Sequence, residues 1–179
     1  MTQNISIDTP LSELTIRRYE KPYNLPRREL IRKLCLSIGL LQPGDSRDVI
    51  VDVLYVMLEA KQDGKLLSSD EVNRLVIEMR KKEGLSQKGV AGSNIRRQLK
   101  RLRELHIAEK IKNNYRITEF SNIKSTFDEK IMRYMLPSIL ERVKEYYEKV
   151  DEIFNENHKN KEIVIDGQTK PSNQNLINI

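Results

Sequence analysis

Apolar residues Ile95, Leu99 and Leu102 recur at i, i+4 and i+7, one face of a helix running from about Ser93 to Leu105. Ser93 stands where an N-cap is expected. The other faces carry Arg96, Arg97, Lys100, Arg101 and Arg103. The period then changes. Ile107 to Thr118 reads as two short strands around Asn113-Asn114, a pair whose tolerance of left-handed backbone suits a tight turn. Tyr115 and Ile117 alternate with Arg116 and Thr118, as a half-buried strand requires. A basic helix therefore runs straight into a hairpin.

The segments before it are also patterned. Residues 1–24 have no clear period, carry Arg17, Arg18 and Lys21, and are expected to form a flexible basic arm. Residues 25–44 are expected to hold an extension helix that starts near Pro26. Its stripe is Leu30, Ile31, Leu34, Cys35, Ile38 and Leu41, and Gln42-Pro43-Gly44 ends it. Asp45-Ser46 should cap the next helix, about Arg47 to Gln62. Val49, Ile50, Val53, Leu54, Val56, Met57 and Ala60 make it apolar around much of its circumference, which marks a buried, central helix. Lys65-Leu66-Leu67 suggests a short strand. Ser68 to Glu71 has the form of a capping box, and Val72, Leu75, Val76 and Met79 continue as a helix to Gly84. Arg80, Lys81 and Lys82 in its last turn suit either the helix dipole or a phosphate. Gly84 and Gly89 have the spacing of a phosphate-binding loop. Val90-Ala91 stands where that loop needs Lys and Ser or Thr, so a nucleotide site is rejected. Ser86, Gln87 and Lys88 in this joining loop are within reach of a nucleic-acid backbone.

Beyond the connector at Phe120 to Lys124, Met132, Leu136, Ile139, Val143, Tyr146, Val150 and Ile153 alternate spacings of four and three. This heptad repeat over residues 125–155 predicts a helix, or a pair kinked at Pro137, that dimerises. Residues 156–179 are rich in Asn and are expected to be disordered, with Ile163-Val164-Ile165 as an apolar knot.

The run from Gly92 to Glu119 resembles the recognition helix and wing of the winged helix-turn-helix family. Leu99, Leu102 and Leu105, the break at His106 and the closing Tyr115-Arg116-Ile117-Thr118 carry the resemblance. The family commonly has Gly where this chain has His106, and His is among the residues more tolerant of the left-handed region. The resemblance implies a mainly α fold with a small β-hairpin wing. It implies a winged helix-turn-helix domain over residues 45–120, with N-terminal and C-terminal helical extensions.

Charge sharpens this picture. Thirty-two Lys and Arg against 26 Asp and Glu give a net charge of +6, which favours an anionic partner. The single cysteine, Cys35, precludes an internal disulfide and reads as a small core residue. No apolar run approaches a membrane span, and the first residues lack the form of a signal peptide, so a cytoplasmic protein is expected. His106 and His158 have no neighbouring Cys or His, and no spacing matches a metal site or a nucleophile motif. No enzyme activity, metal or cofactor is expected. Any effector would have to sit between the N-terminal and C-terminal helices.

The expected function is sequence-specific binding of double-stranded DNA by a homodimer, most simply as a transcriptional regulator. Helix phase points Asn94, Arg97, Gln98 and Arg101 at bases. Arg96, Lys100 and the wing residues Lys110, Lys112 and Arg116 would contact phosphates or the minor groove, and Ser93 belongs to the same DNA-binding set. A partition, replication or chromatin role would use the same surface. The alternative is a winged-helix protein-interaction subunit of a larger assembly, against which the Lys and Arg on the helix argue. Double-stranded RNA ranks last because its major groove is too narrow for a helix.

Overall fold

The computed structural model describes residues 8–166, with side chains through residue 155. The helices are α1 (Arg27–Ser37), α2 (Val49–Gln62), α3 (Ser69–Lys82), α4 (Gly92–Glu104), α5 (Ile123–Thr126) and α6 (Leu136–Asp166). The strands are β1 (Leu67–Ser68), β2 (Ala108–Ile111) and β3 (Asn114–Ile117). They form one antiparallel sheet in the order β1-β3-β2. The protein is thus mainly helical with a small three-stranded sheet.

Helix α2 organises the first unit, Met1–Pro137. It packs against α1, α3, α4 and β3, and every apolar residue singled out on it is buried. Each buried Val, Ile, Leu or Met side chain among them contributes about 1.5–3 kcal/mol on leaving water. The helix begins at Val49, later than expected. Asp45 Oδ1 accepts the Arg47 N–H at 2.9 Å, and the N-cap residue Asp48 turns its carboxylate elsewhere.

It turns to a buried ion cluster. Asp52, fully buried on α2, accepts Arg28 Nε at 2.8 Å and also Arg80. Asp48 accepts Arg28 at 2.7 Å and Arg80 at 3.2 Å. Arg80 Nε also donates to the Ser86 carbonyl at 2.7 Å. Arg80 is therefore neither a dipole-complementing surface charge nor a phosphate ligand. The buried carboxylate of Asp52 and the half-buried one of Asp48 are neutralised by two guanidinium groups, and α3 supplies one of them.

Helix α1 stops at Ser37, short of Gln42-Pro43-Gly44. Gly39 at φ +75° ends it, and a Cβ there would lie 2.6 Å from Thr15 Cβ. Leu40 and Leu41 then enter the core. Part of the basic arm is fastened to this end. The Arg17 N–H donates to Ser37 O at 2.7 Å, and its guanidinium reaches Leu36 O, Leu41 O and Gln42 Oε1. The unpaired carbonyls of a helix C-terminus attract a cation, so Arg17 is held rather than left flexible.

Ser68 and Glu71 form the capping box of α3 as expected. Strand β1 lies at Leu67–Ser68, slightly later than expected, where Leu67 pairs with Tyr115. The hairpin turns at Lys112 and Asn113, one residue earlier than Asn113-Asn114, with Lys112 at φ +55°. The observed register sets Ala108 opposite Ile117, both buried. A turn one residue later would have set Lys110 opposite Ile117 instead, so burial decides the register.

After β3 the backbone takes positive φ at Glu119 and Phe120. A π-helical stretch, Phe127–Met135, follows α5, and Leu136 N–H donates five residues back to Ile131 O. Pro137, which has no N–H to give, follows directly as the second residue of α6, just after that widened turn. The second unit, Ser138–Ile179, holds the rest of α6. Its helix continues to Asp166, past the expected disorder boundary at 156 and through Ile163-Val164-Ile165. Residues 167–179 of the expected disordered tail, and 1–7 of the arm, lie outside the described residues. No helix among the described residues is long and apolar enough to cross a membrane.

Candidate nucleic-acid interface

Helix α4 divides cleanly by burial. Ile95, Leu99 and Leu102 are fully buried against α2 and α3. Ser93, Arg96, Arg97, Lys100 and Arg103 are exposed on the opposite side. Glu104, at the helix end, is the acid of that face and pairs with Lys100 at 3.7 Å. The helix starts at Gly92 with Ala91 as N-cap residue, so Ser93 lies inside the first turn and does not cap it.

Three of the four expected base-reading residues are directed elsewhere. Asn94 Nδ2 donates to Gly89 O at 2.6 Å, and Gln98 Nε2 donates to Asn94 Oδ1 at 2.8 Å. Arg101 donates to Gln98 Oε1 at 2.9 Å and to Gly39 O at 3.2 Å. These side chains form a polar ladder along one flank of α4. It fastens the helix to the α3–α4 loop at one end and to the end of α1 at the other. Gln98 is only 9% exposed. Burial, then the neighbouring charge of Arg97, lowers the Arg101 pKa from its ordinary value. The polar groups of Asn94, Gln98 and Arg101 are thus engaged within the protein. Helix phase put them beside the apolar stripe, and α1 and the loop cover that border.

The β2–β3 hairpin offers two exposed cations and one committed one. Lys112 is exposed at the tip. Lys110 is exposed, with its ammonium 5.7 Å from the Tyr115 ring. Arg116 is half-buried. Its Nε donates to Glu109 Oε1 at 2.7 Å, and its guanidinium lies 4.8 Å from the Phe120 ring. Glu109 also accepts the Glu119 N–H at 2.8 Å, and these two donors lower its pKa, the backbone N–H first. Arg116 thus braces the strained Glu119-Phe120 corner. His106, at the junction between α4 and the β2–β3 hairpin, adopts φ +57°, in the left-handed region that His tolerates better than most non-Gly residues.

Lys81, Lys82, Ser86, Gln87 and Lys88 are exposed beside the start of α4. No group of three or more candidate metal ligands occurs among the described residues. An apolar cavity of about 390 Å³ does lie between α1 and the α5–π stretch, lined in part by Leu34, Ile38, Ile107, Ile123 and Phe127. Its polar lining groups are engaged within the protein. Ser37 Oγ donates to Lys33 O, Thr126 Oγ1 bonds Ser121 Oγ, and Lys124 pairs with Asp128. Nothing there selects a ligand.

In comparisons with known proteins, the chain matches no family model, no curated protein and no solved structure.

Proposed function

We propose that the protein is a winged-helix, sequence-specific binder of double-stranded DNA that acts as a homodimer, most simply a cytoplasmic transcriptional regulator without enzymatic activity. The observation that carries this reading is the outward face of α4. Ser93, Arg96, Arg97, Lys100 and Arg103 are all exposed on a helix whose other side is anchored in the core. A helix of this diameter fits the major groove of B-form DNA. Arg97 and Arg96 on such a helix are the residues suited to guanine edges. Ser93, Lys100, Arg103, Lys112 and Lys110 are suited to phosphates. Arg116 supports the wing from behind. Two such helices in a dimer would meet a pseudo-palindromic site with half-sites roughly 34 Å apart, or a multiple of that. A partition, replication or chromatin protein would bind through the same face.

The test is binding to labelled duplex DNA across a salt series, comparing wild type with an Arg97→Ala/Lys100→Ala variant. The expected result is steeply salt-dependent binding; the variant loses the Lys100 phosphate contact, so its slope falls by about 1, and the Arg97 contact to guanine, so its preference among sequences relaxes. Equal, weak binding by both proteins would overturn the proposal and favour a protein partner for this helix.

A further inference from the structure

The apolar face of α6 is wider than the heptad alone. With Leu136, Val143 and Val150 at a positions and Ile139, Tyr146 and Ile153 at d, the e positions are Leu140, Tyr147 and Phe154. The g positions Arg142 and Lys149 are both cationic. Tyr147 is 72% exposed and Phe154 66%, so these rings have no cover within the described chain. Upstream, the π-helical stretch changes the winding, so Met132 does not share the straight α-helical register that starts at Leu136.

We infer that α6 pairs in parallel with α6 of a second copy of this chain, with Arg142 lying over Tyr147 and Lys149 over Phe154 of that copy. The inference rests on the homodimer reading above and adds its orientation and contacts. In a parallel pair, each g residue meets the e residue five positions further along the other helix. Arg142 to Tyr147 and Lys149 to Phe154 both satisfy that step, and both join a cation to an aromatic ring. The long stems of Arg and Lys cover apolar surface while their charged ends stay in water. Arg142 and Lys149 already hold those ends on their own helix, to Glu145 at 2.7 Å and Glu152 at 2.8 Å. An antiparallel pair would set g against g. Arg142 and Lys149 would then face the same cations of the other helix and lose the rings.

The test uses the full chain in two measurements. Sedimentation equilibrium is run first on wild type and on Arg142→Gln/Lys149→Gln. A dimer whose Kd weakens by about tenfold or more in the variant supports the proposal, since four cation–ring contacts are lost. A dimer that tightens in the variant overturns the parallel orientation, because relief of like-charge repulsion is the antiparallel signature. A monomer at all concentrations overturns the homodimer reading itself, and a trimer or larger assembly overturns the pair. Single-cysteine variants Ile139→Cys and Ile153→Cys are then oxidised separately and mixed, the native Cys35 being buried. Disulfide-linked dimers from each variant alone are expected. Linkage only between the two variants when mixed would overturn the proposal.

Discussion

The Gln98 amide donates to Asn94 Oδ1 at 2.8 Å, and that bond fixes two residues that would otherwise suit adenine. Gln98→Ala should break the ladder at its centre, leaving Asn94 held by Gly89 O and Arg101 by Gly39 O. The expected cost is about 1–2 kcal/mol of stability from two half-buried hydrogen bonds. Measured well below the melting temperature, DNA affinity should keep its wild-type salt slope. Arg97→Ala should do the reverse, weakening binding to the preferred site by about 1–3 kcal/mol and relaxing site preference, with little effect on Tm. A Gln98→Ala protein of normal stability that loses site preference would return Gln98 to the set of base readers.

Asp52 and Arg80 are joined in the core, with 0% and 3% of their surfaces exposed. Removing one partner leaves the other under-compensated in a low-dielectric interior: Asp52 keeps only Arg28, and Arg80 keeps Asp48 at 3.2 Å and the Ser86 carbonyl. Asp52→Leu and Arg80→Met should each cost about 3–5 kcal/mol by urea denaturation. The double variant should cost less than the sum of the two, since neither charge is then left alone on that axis. Strict additivity would mean that the two residues act independently. Arg28, which also pairs with Asp52, keeps Asp48 as a partner in all three variants.

Asp48 ties the same cluster to pH. Burial alone would raise its pKa, but the hydrogen bonds and charges of Arg28 and Arg80 outweigh that, and the pKa lies below its ordinary value. A carboxylate with a depressed folded-state pKa stabilises the protein fully above its unfolded value, about 3.9. That contribution is lost as pH falls through the folded value. The gap in urea midpoint between wild type and Asp48→Asn should therefore be constant from about pH 7 to 5 and shrink below about pH 4. A gap that widened under acid would reverse the assignment.

Local signals predicted what local physics controls. Periodicity located α2, α3 and α4, and α2 is as buried as its nearly continuous apolar surface requires. Ser68 and Glu71 formed the box that their spacing encodes, because both partners lie within one turn. The misplacements share another cause. Arg80 reads locally as a cation at a helix C-terminus, yet its partners are 28 and 32 residues away. A signal was present: Asp52 is a lone acid within the apolar run of α2, and an acid there needs buried cations. Gln98 and Arg101 lie at the border of the apolar stripe, where exposure depends on where α1 ends and how Gly89 folds back. Helix phase carries neither fact. The hairpin moved by one residue because the burial of Ile117 and Ala108, not the turn preference of Asn, sets the register.

His106 offers a test of the junction between α4 and the β2–β3 hairpin. Its φ of +57° lets His106 N–H close onto Arg103 O at 2.9 Å and Ile107 N–H onto Leu102 O at 2.9 Å. The second bond points Ile107 into the core, where it is 9% exposed. A side chain in this conformation costs about 1–2 kcal/mol, whereas Gly loses about 0.5–1 kcal/mol in backbone entropy on folding. His106→Gly should therefore stabilise the protein by about 0.5–1 kcal/mol and raise Tm by about 1–4 °C. His106→Val, β-branched and ill-suited to positive φ, should lower Tm instead. The His106 ring is exposed, so neither change removes a buried contact, and the sign of each shift reports backbone conformation directly. A lower Tm for His106→Gly would show that the His side chain makes a stabilising contact at the junction that outweighs its strain.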